Sequence, residues 1–419
     1  MQKLRNSQFI ISIILISIIF IITSCKKDND DEQAPPAPNP GETYTMEKYL
    51  LNTEDPCFVN IMFQVKDGLH KGVSILTTDD FEIFEDNQTV SPTESAMNVM
   101  QKDAIPYSLK TVLLIDNSSS VGSNLSQIKA AAKSFVNSIV NKQKIAIYVF
   151  SESTVLIKNF TNNKAELNNA IDSIPIGFAS TDLYGAIIDG VSKWNDSYTN
   201  NSISQGFLVM LTDGSDTQGS HTLSEAIAAR GEKKVYTIGL GSEIDESALT
   251  SIGNAGYFPI DNVSDLSAKF SEIQSDISDL ANSFYWLYYM SPKRGDVDHT
   301  FKVRIKSNLN SSISGIITGD FNSKGFFSMS QSIMLNHGVT QIVLLSDETY
   351  SMNAITYLPI APPQYTWSTS DNNVATVFPD PNNSAKAIIT GKGLGGNMAV
   401  ITCEDVANGL TTTVNVVVE

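Results

Sequence analysis

Thr111-Val-Leu-Leu-Ile-Asp-Asn-Ser-Ser-Ser120 is an unbroken apolar run that ends in a carboxylate, with hydroxyls at the second and fourth positions after it. Such a run reads as a strand buried on both faces. Beyond it Leu125, Ile128, Ala132, Phe135 and Ile139 recur at three- or four-residue steps, one apolar stripe of a helix. A buried strand feeding a helix puts the loop between them at the rim of an α/β sheet, where such folds place their ligands. The pattern predicts Asp116, Ser118 and Ser120 at the carboxyl end of a parallel strand. Two more oxygen donors follow in similar settings. Thr181 stands in Phe178-Ala-Ser-Thr-Asp-Leu183, and Asp213 follows the apolar run Phe207-Leu-Val-Met-Leu-Thr212 and precedes Gly214.

Outward from that stretch, strands are expected over 110–116, 144–151, 205–212 and 234–239. Helices are expected over 125–140, 164–173, 183–198, 223–230, 246–252 and 263–281. Strand and helix alternate, so the middle of the chain reads as a doubly wound sheet. The flanks differ. Residues 57–100 and 284–319 read as short strands, too few on either side for a sandwich alone. They are expected to pair with each other, giving one β domain (44–108 and 284–330) interrupted by an α/β domain (109–283). The aromatic run Phe284-Tyr-Trp-Leu-Tyr-Tyr289 is expected to be core packing rather than a ligand face.

The first residues read as a targeting segment. Lys3 and Arg5 precede an apolar stretch, Phe9 to Ile22, that is short for a membrane span. Ile22-Thr23-Ser24-Cys25 resembles the box cleaved by lipoprotein signal peptidase. That resemblance implies removal of residues 1–24, lipidation of Cys25 and attachment to a membrane by acyl chains. Residues 25–43 are acidic and then proline-rich, the composition of a solvated, extended tether. An acidic stretch after the lipidated cysteine also resembles the surface-export signal of Bacteroidetes lipoproteins, which implies an outer-membrane, outward-facing protein; a plain linker is the alternative.

The formal net charge is −17. Loss of residues 1–24 removes Lys3 and Arg5 and no acid, so the mature chain is more acidic still. No basic footprint for nucleic acid is present. Cys57 and Cys403 lie far apart in the chain and are expected to be buried free thiols rather than a bridge. The four histidines are scattered, and no nucleophile elbow, His-Glu-x-x-His, P-loop or Cys-x-x-Cys occurs. The expectation is a protein that is not an enzyme. Asp182 is read as a helix cap or a support to its neighbour Thr181.

Asp116, Ser118, Ser120, Thr181 and Asp213 together resemble the metal-ion-dependent adhesion site of the von Willebrand factor A family. The resemblance covers roughly residues 110–290 and includes Val149-Phe-Ser151 and Val235-Tyr-Thr-Ile-Gly-Leu-Gly241. It departs at Ala179-Ser180, where many members carry two glycines. It implies an α/β doubly wound, Rossmann-like domain whose five oxygen ligands hold Mg²⁺, or Mn²⁺ or Ca²⁺ in its place. Mg²⁺ takes six hard oxygens, and hydroxyl ligands leave its charge largely uncompensated. An open position would then attract a carboxylate on a partner protein. The alternative for the serines is capping of a helix near Ser123. Residues 331–419, with Trp367, Val374-Ala-Thr-Val377, the glycine-rich turn 391–396 and a closing strand, resemble a bacterial immunoglobulin-like domain of the second group.

The function expected is therefore adhesion: a lipid-anchored surface protein binding a protein partner through a divalent ion. A structural or assembly role in the cell envelope, with the metal serving stability, is the main alternative. A metal-dependent hydrolase is a third, which the missing base argues against. A membrane chaperone is a fourth, disfavoured because no transmembrane run follows residue 24. The oligomeric state is not legible.

Overall fold

The computed structural model describes residues 43–419 except 102–106, 141, 200–201, 307–314, 329, 337 and 394. The expected signal segment, Cys25 and all but the last residue of the expected tether lie outside the described residues. Strands β1 (Thr45–Glu54), β2 (Phe58–Lys66), β3 (Phe81–Glu85), β4 (Gln88–Thr89) and β5 (Asn98–Gln101) precede the α/β block. That block runs β6 (Tyr107–Asp116), α1 (Leu125–Asn137), β7 (Gln143–Phe150), β8 (Thr154–Thr161), α2 (Lys164–Asp172), α3 (Leu183–Val191), β9 (Ser197–Thr199), β10 (Ser202–Thr212), α4 (Leu223–Arg230), β11 (Lys234–Leu240), α5 (Glu246–Ile252), β12 (Gly256–Ile260) and α6 (Leu266–Asn282).

Its sheet has the order β12-β11-β10-β6-β7-β8, with β9 beside β10. Strands β12, β11, β10, β6 and β7 are parallel, whereas β8 and β9 run antiparallel. From β6 the chain moves one way to β7 and later returns to the other side at β10. The crevice at the carboxyl ends of β6 and β10 is thus a topological switch point. Helices cover both faces: Ile128, Phe135, Ile273 and Ile277 pack on one and Leu183, Ile187 and Leu249 on the other.

The helix expected to reach residue 198 ends at Val191. Trp194 is buried against Gly206 of β10, where a side chain would collide with the indole. Lys233 Nζ takes the carbonyls of Val191 and Trp194 at 2.5 and 2.7 Å, and Asp196 accepts from Trp194 Nε1 at 3.1 Å and Gly206 N at 2.7 Å. These bonds turn the chain into β9 instead of continuing the helix. Strands β8 and β12 were not expected. Both lie at sheet edges and are only partly buried, and their apolar runs, Val155-Leu-Ile157 and Tyr257-Phe-Pro-Ile260, are short.

Three strands follow: β13 (Phe284–Met290), β14 (Asp298–Ile305) and β15 (Ile316–Asn322). They pair back with the strands before the α/β block, in sheets ordered β1-β2-β13-β5 and β15-β14-β3-β4. Alternation along β13 explains its aromatic run. Tyr285, Leu287 and Tyr289 face the second sheet with Phe63, Phe81 and Val303. Phe284, Trp286 and Tyr288 belong to a core shared with Tyr107 and with Ile277 and Ala281 of α6. All seven residues of β13 are buried, as core packing requires.

The chain ends in β16 (Ser332–Leu335), β17 (Gln341–Leu344), β18 (Thr349–Tyr357), β19 (Tyr365–Thr369), β20 (Ala375–Asp380), β21 (Asn383–Gly391), β22 (Asn397–Asp405) and β23 (Leu410–Val418). They form two four-stranded sheets around Ile342, Met352, Ile389, Ile401 and Val416. Cys57 and Cys403 are free and buried. No helix among the described residues is long and apolar enough to cross a membrane.

Candidate metal centre

Strands β6 and β10 lie side by side with Ile115 opposite Leu211, so Asp116 and Asp213 leave the sheet as neighbours. The Asp116 carboxylate is fully buried. Its Oδ1 accepts from Ser118 N at 2.8 Å, which curls the chain back over the strand end, and its Oδ2 accepts from the Thr212 hydroxyl at 2.7 Å. Ser118 Oγ and Ser120 Oγ lie 2.9 Å apart, and Ser120 Oγ donates to Asp213 Oδ1 at 2.7 Å. Asp116, Ser118, Ser120 and Asp213 are therefore joined in one hydrogen-bonded series, through the Ser118 amide at one end and the two serine hydroxyls at the other.

The serines do not cap the helix. Ser118 makes no cap bond to the 3₁₀ turn Ser119–Ser123, and α1 starts one turn later behind Asn124.

Thr181 is buried at the same rim, between the loops after β7 and β10. Its N donates to Thr217 Oγ1 at 2.8 Å, its carbonyl accepts from Thr217 N at 2.9 Å, and Asp182 N donates to Ser151 O at 2.7 Å. Among the described hydrogen bonds none joins the Thr181 hydroxyl to the other four residues. Asp182 caps α3 through Gly185 N at 3.1 Å, one of the two roles its position suggested. Asp216 also serves that helix, accepting from Leu183 N at 2.9 Å, and ties the Thr181 loop to the Asp213 loop.

Sequence reasoning missed Thr212 and Asp216. The signal for Thr212 was present: a hydroxyl next to the carboxylate on the strand adjoining Asp116 can reach across. Asp216 carried no local signal, because the helix it caps lies 33 residues away.

Burial pushes the Asp116 carboxyl above its usual range. Burial and the Asp116 charge push Asp213 the same way. Among the described residues neither carboxylate forms an ion pair with Lys, Arg or His. Two facing, desolvated carboxylates without a basic partner fit a cation. The donor set is oxygen alone, which suits Mg²⁺, Mn²⁺ or Ca²⁺ and not a soft ion. No three His, Cys, Asp or Glu side chains converge among the described residues, so any ion held here needs the hydroxyls.

Residues 111–276 match the family model of the von Willebrand factor type A domain. Among solved structures, proximal thread matrix protein 1 from the mussel byssus is similar at 18% identity and a TM-score of 0.36, over 42% of this chain and 49% of that one. This chain thus spans about half the length of that protein. A von Willebrand factor type A protein from Catenulispora acidiphila is similar at 11% identity and a TM-score of 0.38, over 68% and 74%. BatB from Bacteroides thetaiotaomicron is similar at 18% identity and a TM-score of 0.36, over 42% of this chain and all of that one (100%).

Proposed function

We propose that this is a cell-surface protein that binds a protein partner through a divalent ion held by Asp116, Ser118, Ser120, Thr181 and Asp213. The observation that carries the reading is the pair of desolvated carboxylates, Asp116 and Asp213, joined through the Ser118 amide and the Ser118 and Ser120 hydroxyls, with no ion pair to Lys, Arg or His among the described residues. A bound ion would supply a positive centre for an anionic oxygen, typically an Asp or Glu carboxylate on the partner. Thr212 and the Ser118 amide fix both Asp116 oxygens, so the ligand set is oriented in advance.

Residues 44–108 with 284–330 read as a β domain that carries the α/β domain, supported by the pairing of β13 with β2 and β5. Residues 331–419 read as an immunoglobulin-like spacer. The Cys25 motif supports lipid attachment at the outer membrane. Among the described residues His221 Nδ1 lies 3.7 Å from Asp182 Oδ1 and no described hydrogen bond joins it to the five oxygen donors, so binding is favoured over hydrolysis.

The test is a pulldown from envelope or host material with wild type and Asp116→Ala, each in Mg²⁺ and in chelator. Adhesion predicts partners retained only by wild type in Mg²⁺, with the fold intact in chelator. Retention by Asp116→Ala in chelator overturns it. A fall in melting temperature with chelator and no metal-dependent partner points instead to a structural metal in the envelope.

A further inference from the structure

Two large apolar side chains stand in solvent beside the candidate metal centre. Ile176 is 56% exposed and Phe178 63%. They occupy alternate positions of an extended segment, 174–178, and that segment is strapped to the metal-site loop. Gly177 N donates to Asn117 O at 2.6 Å, Asn117 Nδ2 to Pro175 O at 3.0 Å, Ser119 N to Phe178 O at 2.8 Å and Phe178 N to Ser151 Oγ at 3.3 Å. Ile176 Cδ1 lies 3.6 Å from where a side chain on Gly122 would begin, over the turn that carries Ser120. Two apolar groups held in water by four hydrogen bonds gain nothing from folding. They fit a face that another molecule covers.

The rim beyond Asp213 has the opposite character. Residues 213–221 and 241–246 contain Asp213, Asp216, Glu243, Asp245 and Glu246 and no Lys or Arg. Asp216 and Asp245 are occupied as helix caps, on Leu183 N and Ala248 N. Glu243 is exposed, and its carbonyl is tied to the Asp213 loop through Ser215 Oγ at 3.1 Å.

We propose that this rim selects a partner peptide segment in which an acidic residue lies between a large apolar side chain and a basic one. The acid would meet the ion, the apolar side chain would cover Ile176 and Phe178, and the basic side chain would face Glu243. This rests on the metal-centre reading above and adds what that reading leaves open, the residues that flank the carboxylate. Shielding the two apolar side chains contributes affinity, and the charge on the far side sets the orientation of the segment.

The experiment is selection of a random peptide library on the immobilised full chain in Mg²⁺, with elution by chelator. Wild type is expected to yield peptides with an acidic residue flanked by an aromatic or large aliphatic residue on one side and Lys or Arg on the other. The double variant Ile176→Ser with Phe178→Ser should lose the apolar enrichment and bind the wild-type peptides about tenfold more weakly. Its melting temperature and its response to Mg²⁺ should be unchanged, since both side chains are exposed. Glu243→Lys should invert the basic preference. A chelator-eluted family with an acid but random flanks overturns the rim proposal and leaves the metal centre standing. Absence of any chelator-eluted acidic family overturns both.

Discussion

Ser120 Oγ donates to Asp213 Oδ1 at 2.7 Å, bridging the ends of two adjacent parallel strands across 93 residues of chain. The bond brings a hydroxyl and a desolvated carboxylate together beside a second buried carboxylate, Asp116. In water such groups would spread apart; here the switch-point topology holds them together. A divalent ion bound to this set stabilises only the folded chain. Wild type is expected to rise in melting temperature with Mg²⁺, by the equivalent of about 2.7 kcal/mol at a hundred times the dissociation constant. Asp116→Ala should abolish the rise, and Ser120→Ala should shift the midpoint of the titration to higher Mg²⁺. Differential scanning calorimetry across a Mg²⁺ series reads both, and equal shifts in all three proteins would exclude an ion at this site.

Gly177 is a second point of control. A Cβ there would lie 2.7 Å from Ser151 Oγ and 2.9 Å from Asn117 Nδ2 and Oδ1. Ser151 and Asn117 are buried at strand ends and cannot swing aside. Gly177→Ala is expected to cost about 1–3 kcal/mol, the usual penalty of overpacking. Urea unfolding measures it. Wild-type stability in the variant would mean that the 174–178 segment shifts freely, against the strapping described above.

The α/β core was legible because strands buried on both faces read as apolar runs. Strands β6, β7, β10 and β11 were each located to within about three residues on that signal. Strands β8 and β12 were not, because they lie at partly exposed sheet edges and their apolar runs, Val155-Leu-Ile157 and Tyr257-Phe-Pro-Ile260, are too short to stand out. The false tail on α3 came from following apolar spacing past Val191. Only the fold reveals that Trp194 must turn in against Gly206. At the site, Asp116, Ser118, Ser120 and Asp213 stood out because each follows a buried strand. Thr181 had only its loop context, and the fold links it to the others through backbone bonds to residues 217 and 218. Asp216 acts on a helix distant in sequence, and local pattern contains nothing of that.

The joint between α6 and β13 gives a third expectation. Ser283 alone separates helix from strand. Gln64 Nε2 donates to Leu280 O at 2.7 Å, Val65 N donates to Ser283 O at 3.1 Å, and Gly72 abuts the Asp279 backbone so closely that no side chain fits. The helix end is fixed from several sides. Gln64→Ala should lower stability by about 1 kcal/mol through the lost bond. The Mg²⁺-induced rise in melting temperature should stay the same, because a fixed joint transmits nothing to the site. A changed Mg²⁺ response in Gln64→Ala would instead mean that site and joint share a two-state element.

Glu85 sets a pH dependence. Its carboxylate is buried at the end of β3. Tyr289 OH donates to Oε1 at 2.9 Å, while Oε2 has no hydrogen-bond partner among the described residues. Ser291, Tyr289, Lys293 and His299 favour the ionised form, but burial outweighs them and holds the group above the usual carboxylate range. A carboxyl raised in the folded state keeps a proton that the unfolded chain has already released. Its contribution to stability is therefore fully present below the unfolded value near 4.5 and is lost as pH rises through the folded value. Glu85→Gln removes that ionisation and retains a group that accepts from Tyr289. The stability of Glu85→Gln relative to wild type should increase from pH 4 to pH 8. The gain should be present at pH 8 and absent at pH 4, because only the ionised carboxylate carries the desolvation cost that the amide lacks. Thermal melts of the two proteins across that range provide the comparison, and a difference that does not change with pH would show that Glu85 ionises in the folded chain as readily as in the unfolded one.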